Sequence, residues 1–411
     1  MNIWLIMSGE PLEMFGERPH RVGILSKMLV QKGHNVTWFT TTFDHQHKKY
    51  LYNETTKIKS DFGVNMIFLH SDTPYYKNIS FARIKNHKEV GEEFYKIANK
   101  LKKPDIILTA FPTIDLAYYA VKYAKENTIP IVVDIRDLWP DIFLDVLPKF
   151  LKPFGKILLN DYYKKTKYIF QNTYSITSMT DKFLQYASKF GYKITNKDKS
   201  FPFGYPLYNL SKIKEEKSLK SLKDRGVNFN KFTICYFGTI GKQFDFEPLI
   251  EVAREVKDIQ FLIFGNGNEF NSLKEKTKNL DNFKIPGWVN QDEIWSIMKY
   301  SQVAIAPYIN KKDFLNSISN KSIEYLAGGL PILSSIEGVL GELITKNKCG
   351  FVYKNSSDLK EKIFLLKNNQ ELLEQMSKNA KKLFDEKFSA DKVYSDMIEY
   401  LENIVKEYKN V

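Results

Sequence analysis

The sequence predicts an α/β fold in which a doubly wound, mostly parallel sheet occurs twice. Short apolar runs of strand length alternate with amphipathic stretches of helical length, which is typical of repeated βαβ units. The alternation stops at residues 200–231, where prolines and glycine precede a charged stretch, and then restarts. A length of 411 residues also suits two domains of about 200 residues better than a single core.

The first half of the chain contains six predicted strands, which define a first Rossmann-like domain over residues 1–204. These strands are 3–7, 36–40, 64–70, 105–109, 129–135 and 174–178. Helical patterns lie between them, for example at 21–31, 87–101 and 114–126. Parallel strands joined through helices place their carboxyl ends at one edge of the sheet, where ligands of such folds bind.

The second half repeats this pattern over residues 205–388. Its predicted strands are 232–237, 259–264, 282–286, 303–307, 331–334 and 350–353. Beyond residue 356 the pattern is helical, and the last segment, 389–411, carries Val393, Met397, Tyr400 and Leu401 at the spacing of one buried helix face. Two such domains in tandem predict a cleft between them, with the carboxyl ends of both sheets facing it.

The amino-acid composition restricts the class of protein to which the chain can belong. Hydrophobic residues make up 43% and aromatic residues 14%, which indicates a globular chain. The two cysteines, Cys235 and Cys349, are too few for a disulfide framework and favour the cytoplasm. The chain has no apolar run long enough to span a membrane. The net charge of +13 favours anionic partners, either nucleic acid, a membrane surface or phosphorylated molecules, unless it only reflects an AT-rich genome.

The segment NSISNKSIEYLAGGLPILSS, residues 316–335, suits anion binding. Its apolar spacing predicts a helix with Glu324 off the core-facing side. With Asn320 as the N-cap, the loop that includes Ser317 and Ser319 presents backbone N–H groups suited to phosphate, and Lys321 adds positive charge. Glu324 either complements the helix dipole, worth about 0.3–1 kcal/mol, or accepts hydrogen bonds from vicinal ribose hydroxyls. The residues alone leave both interpretations open.

The stretch IEYLAGGLPIL, between the strand VAIAPY and an apolar strand, resembles the signature of the family 4 glycosyltransferases. These are retaining enzymes of the GT-B fold, whose motif is E-x7-E followed by a small-residue helix. The resemblance implies that Glu324 binds ribose hydroxyls and that the C-terminal helix crosses back to the first domain. Asn316 stands where the family has its first Glu. An amide still hydrogen-bonds a donor-sugar hydroxyl, but it lacks the negative charge that could stabilise a developing oxocarbenium ion.

Other stretches of the second domain extend the resemblance. In YFGTIGK, Thr239 stands where an Arg is common, and Lys242 matches the family's diphosphate-binding Lys, a role that Lys321 shares. FGNGNEF implies that the backbone approaches the nucleotide. KIPGWVN implies main-chain contacts to the base, with Trp288 either stacking on the base or covering the core. The residues implied here are Gly265, Asn266, Gly267, Pro286, Gly287, Trp288 and Val289.

The first domain shows the resemblance in two loops. In SGEPLEMFGERPHR, Gly16 is expected to meet the sugar diphosphate, and Arg21 fits a helix-surface cation. In VVDIRDLWPD, Arg136 and Asp137 stand at the family's His-Asp pair, and the RDLWP form resembles the branch that builds bacterial capsules and O-antigens. Asp137 either orients an acceptor hydroxyl or caps its own loop.

Residues 147–170 interleave lysines with apolar and aromatic residues. Such a pattern lies on an anionic bilayer or forms an ordinary helix packed on the first domain, and both interpretations stay open. Membrane contact would favour a lipid-linked, polyprenyl-type acceptor and a location at the inner face of the cell membrane.

The sequence therefore predicts a glycosyltransferase that moves a sugar from a nucleotide-diphosphate sugar, with UDP as the expected nucleotide, to a glycan hydroxyl. Asp137, Lys242 and Asn316 are the expected catalytic residues, and neither a metal nor a cofactor is expected, since the chain has no Asp-x-Asp pair. One alternative is a nucleotide-sugar epimerase of the same fold. The other is a basic nucleic-acid-binding protein, although no known module supports it. A dehydrogenase is disfavoured because the first turn lacks G-x-G-x-x-G.

Overall fold

Two parallel β-sheets organise the chain, and each has the strand order of a Rossmann fold. The computed structural model describes residues 1–145 and 147–410, without the side chains at 145, 312 and 313. The chain divides into two units by its internal contacts. The first unit comprises Met1–Pro202 and the chain from Val393 onward, and the second comprises Phe203–Lys392.

The sheet of the first unit has the order β10-β9-β8-β7-β1-β2-β6-β5. Its strands pair in parallel, except that β5 runs antiparallel to β6 at the edge. A short antiparallel pair, β3 and β4, lies outside this sheet. The strands are β1 Asn2–Ile6, β2 Asn35–Thr41, β3 Phe43–Asp44, β4 Lys49–Tyr50, β5 Thr56–Lys59, β6 Asn65–Leu69, β7 Ile106–Phe111, β8 Ile131–Ile135, β9 Ser175–Ser178 and β10 Lys199–Ser200.

Helices of the first unit connect these strands, and the longer ones bury one apolar face each. They are α1 Arg21–Gln31, α2 Phe81–Ala98, α3 Ile114–Glu126, α4 Asp141–Asp145, α5 Lys152–Leu158, α6 Asn160–Asn172 and α7 Asp181–Ser188, with short 3-10 turns at Glu13–Phe15 and Lys149–Leu151. Strands β1, β7 and β8 contribute fully buried residues to a core that also holds the apolar faces of α2, α3 and α6. This burial is what fixes the register of the central strands.

The sheet of the second unit has the order β13-β12-β11-β14-β15-β16, all in parallel. Its strands are β11 Phe232–Phe237, β12 Ile259–Phe264, β13 Phe283–Gly287, β14 Val303–Ala306, β15 Ile332–Ser334 and β16 Gly350–Val352. Its helices are α8 Lys212–Asp224, α9 Glu247–Glu255, α10 Phe270–Thr277, α11 Gln291–Tyr300, α12 Lys312–Leu315, α13 Asn320–Ala327, α14 Gly338–Lys346, α15 Ser356–Asn368 and α16 Gln370–Lys387.

The last helix, α17 Ala390–Lys409, packs on the first unit through most of its length. The Tyr400 hydroxyl lies 2.6 Å from Ser175 Oγ, which belongs to β9. His34 Nε2 lies 2.9 Å from a Glu402 carboxylate oxygen. These contacts account for the assignment of the chain from Val393 onward to the first unit.

The prediction of an α/β fold with two doubly wound sheets is confirmed. In both units the strand order reverses between two central strands, β1 and β7 in the first and β11 and β14 in the second. Ligands of such sheets bind beyond the carboxyl ends of the strands at this reversal, so each unit has one place where a site is expected. Within the described residues, no helix has the length and apolar character needed to cross a bilayer.

Candidate functional site

Glycine turns lie beyond the carboxyl ends of β11 and β12 and pack backbone against backbone. Gly238 N donates to Phe264 O at 3.0 Å, and Ile240 N donates to Asn266 O at 2.9 Å. Gly265 has a φ of 135°, and a Cβ built on it would lie 1.7 Å from Gly238 O. Any side chain there would separate the two turns. Loop packing alone therefore accounts for the glycines of the G-x-G motif, because a Cβ on Gly267 would likewise lie 2.2 Å from Ile240 O.

Lys321, the second residue of α13, extends across the turn that follows β11. Its Nζ donates to the Tyr236 hydroxyl at 2.8 Å and lies 4.0 Å from the ring centroid of Phe244. Burial lowers the pKa of Lys321 to about 8, although the neighbouring Glu324 carboxylate opposes this shift. The ammonium thus contacts neutral groups, the Tyr236 hydroxyl and the Phe244 ring, at the end of the sheet where a ligand is expected. An anionic ligand there would raise its pKa again.

The N-cap of α13 is Ser319, so the prediction of Asn320 as the cap is wrong. Ser319 Oγ accepts a hydrogen bond from Ser322 N at 3.2 Å, and Asn320 is the exposed first residue of the helix. A serine satisfies the N3 amide as well as an asparagine does, so sequence alone could not choose between adjacent caps. Asn316 and Ser317 are half-buried in the loop that leads to this cap.

The side chain of Glu324 is only 7% exposed, although its predicted position off the apolar face of the helix favours an exposed side chain. It lies in the second turn of α13, and the first turn carries no acidic side chain. A dipole effect falls off within the first turn, so the interpretation of Glu324 as a dipole partner loses its basis. Its effect on the pKa of Lys321 shows that the two charges are neighbours. A buried carboxylate beside a half-buried ammonium whose pKa is shifted marks a candidate binding site.

The remaining predicted residues of the second unit lie along the same edge of the sheet. Thr239 and Lys242 are exposed in the turn after β11, and Tyr236 donates to Thr239 O at 2.6 Å. Asn266 Oδ1 accepts from Gly267 N at 2.8 Å. After β13, Pro286 and Gly287 end the strand and Val289 is buried, whereas Trp288 is 70% exposed. This exposure is inconsistent with Trp288 as a cover over the core.

In the first unit, Arg136 is held by carboxylates within its own fold. It pairs with Glu10 and, through Nε, with Asp134 Oδ2 at 2.9 Å. Glu10 in turn accepts from Val22 N at 2.9 Å, at the start of α1. The prediction of Arg21 as a surface cation is wrong, because Arg21 is buried and lies 3.7 Å from Asp134 Oδ1. Burial alone would raise the pKa of Asp134, but Arg21 and Arg136 hold it below its ordinary value.

Asp137 follows β8 and makes contacts within its own loop. Its carboxylate accepts from Leu138 N at 3.0 Å and from Trp139 Nε1 at 3.2 Å. These are the contacts of a loop-capping residue, yet Asp137 also lines a cavity of about 260 Å³ at the carboxyl edge of the sheet. The geometry is therefore compatible with both sequence interpretations.

That cavity also brings together residues that the sequence did not single out. Ser8 and Thr113, which follow β1 and β7, lie 2.8 Å apart through their hydroxyl oxygens. Gly9 lines the cavity, whereas Gly16 is exposed at the end of the 3-10 turn and donates to Glu13 O at 2.9 Å. Most of the missed residues lie in the loops after predicted strands, which is the signal that could have found them, whereas Arg83 and His87 lie on α2. They are Ser8, Gly9, His45, Tyr75, Arg83, His87 and Thr113.

Comparisons with known proteins agree with this architecture. Residues 219–383 match the family model of glycosyl transferases group 1. Alpha-monoglucosyldiacylglycerol synthase of Acholeplasma laidlawii is 26% identical over 219 residues, which cover 50% of this chain and 52% of that protein. The matches to curated relatives span between about a third and about half of each relative's length.

Solved structures match over nearly the whole chain. Sucrose-phosphate synthase from Thermosynechococcus elongatus has a TM-score of 0.71 at 14% identity and covers 99% of both chains. The Anabaena protein HepE, solved in complex with UDP, has a TM-score of 0.66 at 14% identity, over 98% of this chain and 99% of that one. A further HepE structure contains UDP-glucose. The fold is therefore GT-B, with two Rossmann-like domains, and the second unit matches a group 1 glycosyltransferase domain.

Proposed function

We propose that the protein is a retaining glycosyltransferase that uses a nucleotide-diphosphate sugar, with UDP as the nucleotide, and glycosylates a glycan hydroxyl. The observation that carries this proposal is the pairing of Lys321 and Glu324 on α13 beside the glycine turns of β11 and β12. A half-buried ammonium suits the diphosphate, and a buried carboxylate suits the ribose hydroxyls. The Anabaena HepE structures with UDP and UDP-glucose support the nucleotide.

In this mechanism the second unit holds the donor and stabilises the leaving group. Lys321, Lys242 and the N-terminus of α13 balance the charge that develops on the departing diphosphate, without a metal ion. Asn316 hydrogen-bonds a hydroxyl of the donor sugar. In the first unit Asp137 orients the acceptor hydroxyl, which attacks on the face from which the diphosphate departs, so the anomeric configuration is retained. The departing diphosphate takes the proton of that hydroxyl.

The acceptor is proposed to be a lipid-linked oligosaccharide of bacterial surface polysaccharide synthesis. The RDLWP stretch around Asp137 supports this branch. A relative whose name describes a glucosylated diacylglycerol supports a lipid-borne acceptor. A polyprenyl carrier at the inner face of the cell membrane is the acceptor that fits both.

Release of free UDP tests this function. Incubation with a UDP-sugar and a lipid extract of bacterial membranes should release UDP, and omission of the extract should stop the release. An epimerase of the same fold would instead convert the sugar without any acceptor. Conversion of the UDP-sugar in the absence of extract would therefore contradict the proposal and favour the epimerase.

Residues 147–170 divide into a part that packs and a part that is exposed. Helix α6 buries Tyr162, Ile169 and Phe170 in the core. The preceding 3-10 turn and α5 instead present apolar side chains that are 66–79% exposed, and lysines lie among them. The exposed apolar residues are Phe150, Phe154, Ile157 and Leu158. We propose that residues 149–158 contact the anionic membrane, where apolar burial and lysine attraction act together.

Vesicle sedimentation measures this membrane contact. The double substitution Phe154→Ser and Leu158→Ser should weaken binding to phosphatidylglycerol-rich vesicles at least about tenfold, because each buried side chain contributes about 1.5–3 kcal/mol. The matched control is Ile213→Ser, which removes another exposed apolar side chain from α8 and should leave binding unchanged. Equal binding by the double variant and the wild type would exclude residues 149–158 as the contact.

A further inference from the structure

Cations and aromatic rings border the cavity of the first unit, and the proposed mechanism uses none of them. The Arg83 guanidinium of α2 lies over the ring of Trp139, with Cζ 5.0 Å from its centroid, and over Tyr75 at 5.7 Å. Lys48 Nζ lies 4.9 Å from the same Tyr75 ring. Two cations therefore contact the ring of Tyr75, and of these Arg83 lines the cavity together with Tyr75.

Both cations bind neutral partners. Arg83 donates to Asn78 O at 2.8 Å and to His87 Nε2 at 3.4 Å. Lys48 donates to Asn78 Oδ1 at 2.9 Å and also lies 3.3 Å from His45 Nδ1. In the part of the chain that the structure describes, no carboxylate lies within ion-pair distance of either cation, and Asp44 attracts Lys48 only from farther away. Two like charges on one ring repel each other, and an anion between them would relieve that repulsion.

Two histidines complete this group and remain neutral. Burial is the main cause that lowers the pKa of His87 to about 3, and the positive charge of Arg83 is the second. Burial, with Lys48 and Arg83, lowers the pKa of His45 to about 4. Since His87 Nε2 accepts from Arg83 and His45 Nδ1 accepts from Lys48, each ring carries its proton on the other nitrogen. The two histidines that line the cavity therefore add no positive charge to it.

Negative charge on the same wall comes from Asp137, whose oxygens accept from Leu138 N and Trp139 Nε1. The second arginine of the wall, Arg136, is balanced by Glu10 and Asp134. Glu10 and Asp134 are offset by Arg136 together with the buried Arg21, so Asp137 stands against Arg83 and the nearby Lys48. These four cations and three carboxylates leave the cavity region with one positive charge. An anionic ligand fits this charge better than a neutral sugar does.

We infer that this cavity binds a phosphoryl group carried by the acceptor, with Arg83 and Lys48 as the residues that select it. A phosphoryl group brings three acceptor oxygens and nearly two negative charges, which match the two cations Arg83 and Lys48. Arginine suits it through paired N–H groups. The inference rests on the proposed function, in which the first unit holds the acceptor, and it adds the chemical class that is recognised.

Binding of glycerol 3-phosphate tests this site without any turnover. Calorimetry in the presence of saturating UDP, which occupies the second unit, should show binding to the wild type. Arg83→Gln and Lys48→Gln should each weaken it about tenfold or more, because a charge-assisted hydrogen bond is lost. Arg83→Lys should lose less. The control Lys85→Gln, on the same helix and exposed, pairs with Glu89 and should bind within about twofold of the wild type.

Vesicles distinguish a lipid-borne phosphate from a soluble one. If the phosphoryl group is lipid-borne, the wild type should prefer phosphatidic acid vesicles over phosphatidylglycerol vesicles, and Arg83→Gln should lose that preference. If Arg83→Gln weakens the binding of glycerol 3-phosphate but leaves vesicle binding unchanged, the same site binds a soluble sugar phosphate.

Two results would overturn the inference. In the first, the folded variants Arg83→Gln and Lys48→Gln both bind glycerol 3-phosphate and vesicles as the wild type does. The other is equal binding of glycerate, whose carboxylate would then serve as well as a phosphoryl group. Both results come from binding measurements and do not depend on UDP release. A failure of the proposed transferase activity would appear in the UDP-release assay instead.

Discussion

Substitution of Glu324 by glutamine should weaken UDP binding by about tenfold to a hundredfold. The expected loss reflects charge-assisted hydrogen bonds to ribose, each worth about 1.5–3 kcal/mol. Because Glu324 is buried, glutamine preserves its volume, whereas alanine would leave a cavity and confuse binding with stability. Isothermal titration calorimetry with UDP measures the affinity, and thermal unfolding shows whether the variant is folded.

Glu361→Gln is the matched control for this substitution. Glu361 is exposed on α15 of the same unit, so its variant changes the net charge equally and should bind UDP like the wild type. A folded Glu324→Gln variant with wild-type UDP affinity would show that the carboxylate does not contact the ribose.

Lys321 should make UDP binding depend on pH near 8. Its pKa is lowered to about 8, chiefly by burial, so the side chain is charged below that pH and increasingly neutral above it. The charged form attracts the diphosphate. Affinity should therefore be highest below about pH 8 and fall above it by up to about tenfold per pH unit, until the pKa of the lysine in the complex is reached. Lys321→Met should bind weakly at every pH.

Two further variants separate this charge effect from other causes. Lys321→Arg stays protonated throughout the range, so its UDP affinity should not change with pH. Lys346→Met removes an exposed lysine of α14 and should reproduce the wild-type profile. A wild-type affinity that is constant from about pH 7 to about pH 9 would exclude Lys321 as the titrating contact to the diphosphate.

The strands of both sheets could be predicted because they are short, apolar and bounded by polar turns. The strands at 232–237 and 259–264 and the helix at 114–126 coincide with the predicted ranges. Strand β5 was missed because its alternating lysines and its edge position give a weak signal. Helix α2 begins at Phe81 behind the cap Ser80, although its apolar periodicity becomes clear only later, and this early start is what brings Arg83 to the cavity.

The residues of the proposed donor site were predicted from motif positions, but their burial and their contacts were not. Sequence placed Glu324 and Lys321 on one helix, yet the contacts that partly bury Lys321 come from Tyr236 and Phe244, which lie in distant parts of the chain. The burial of Arg21 at the start of α1 was missed for the same reason, because its partner Asp134 lies on strand β8. Local patterns report propensity, whereas burial and pairing are set by tertiary contacts.

Transfer of labelled sugar from a UDP-sugar into the lipid fraction of a membrane extract, with UDP quantified in the same reaction, tests the central claim most directly. The wild type and Glu361→Gln should release UDP and label the lipid in equal amounts. Glu324→Gln and Lys321→Met should do neither at the same donor concentration. Undiminished transfer by folded Glu324→Gln and Lys321→Met, or conversion of the donor without UDP release, would contradict a glycosyltransferase whose donor site is built on α13.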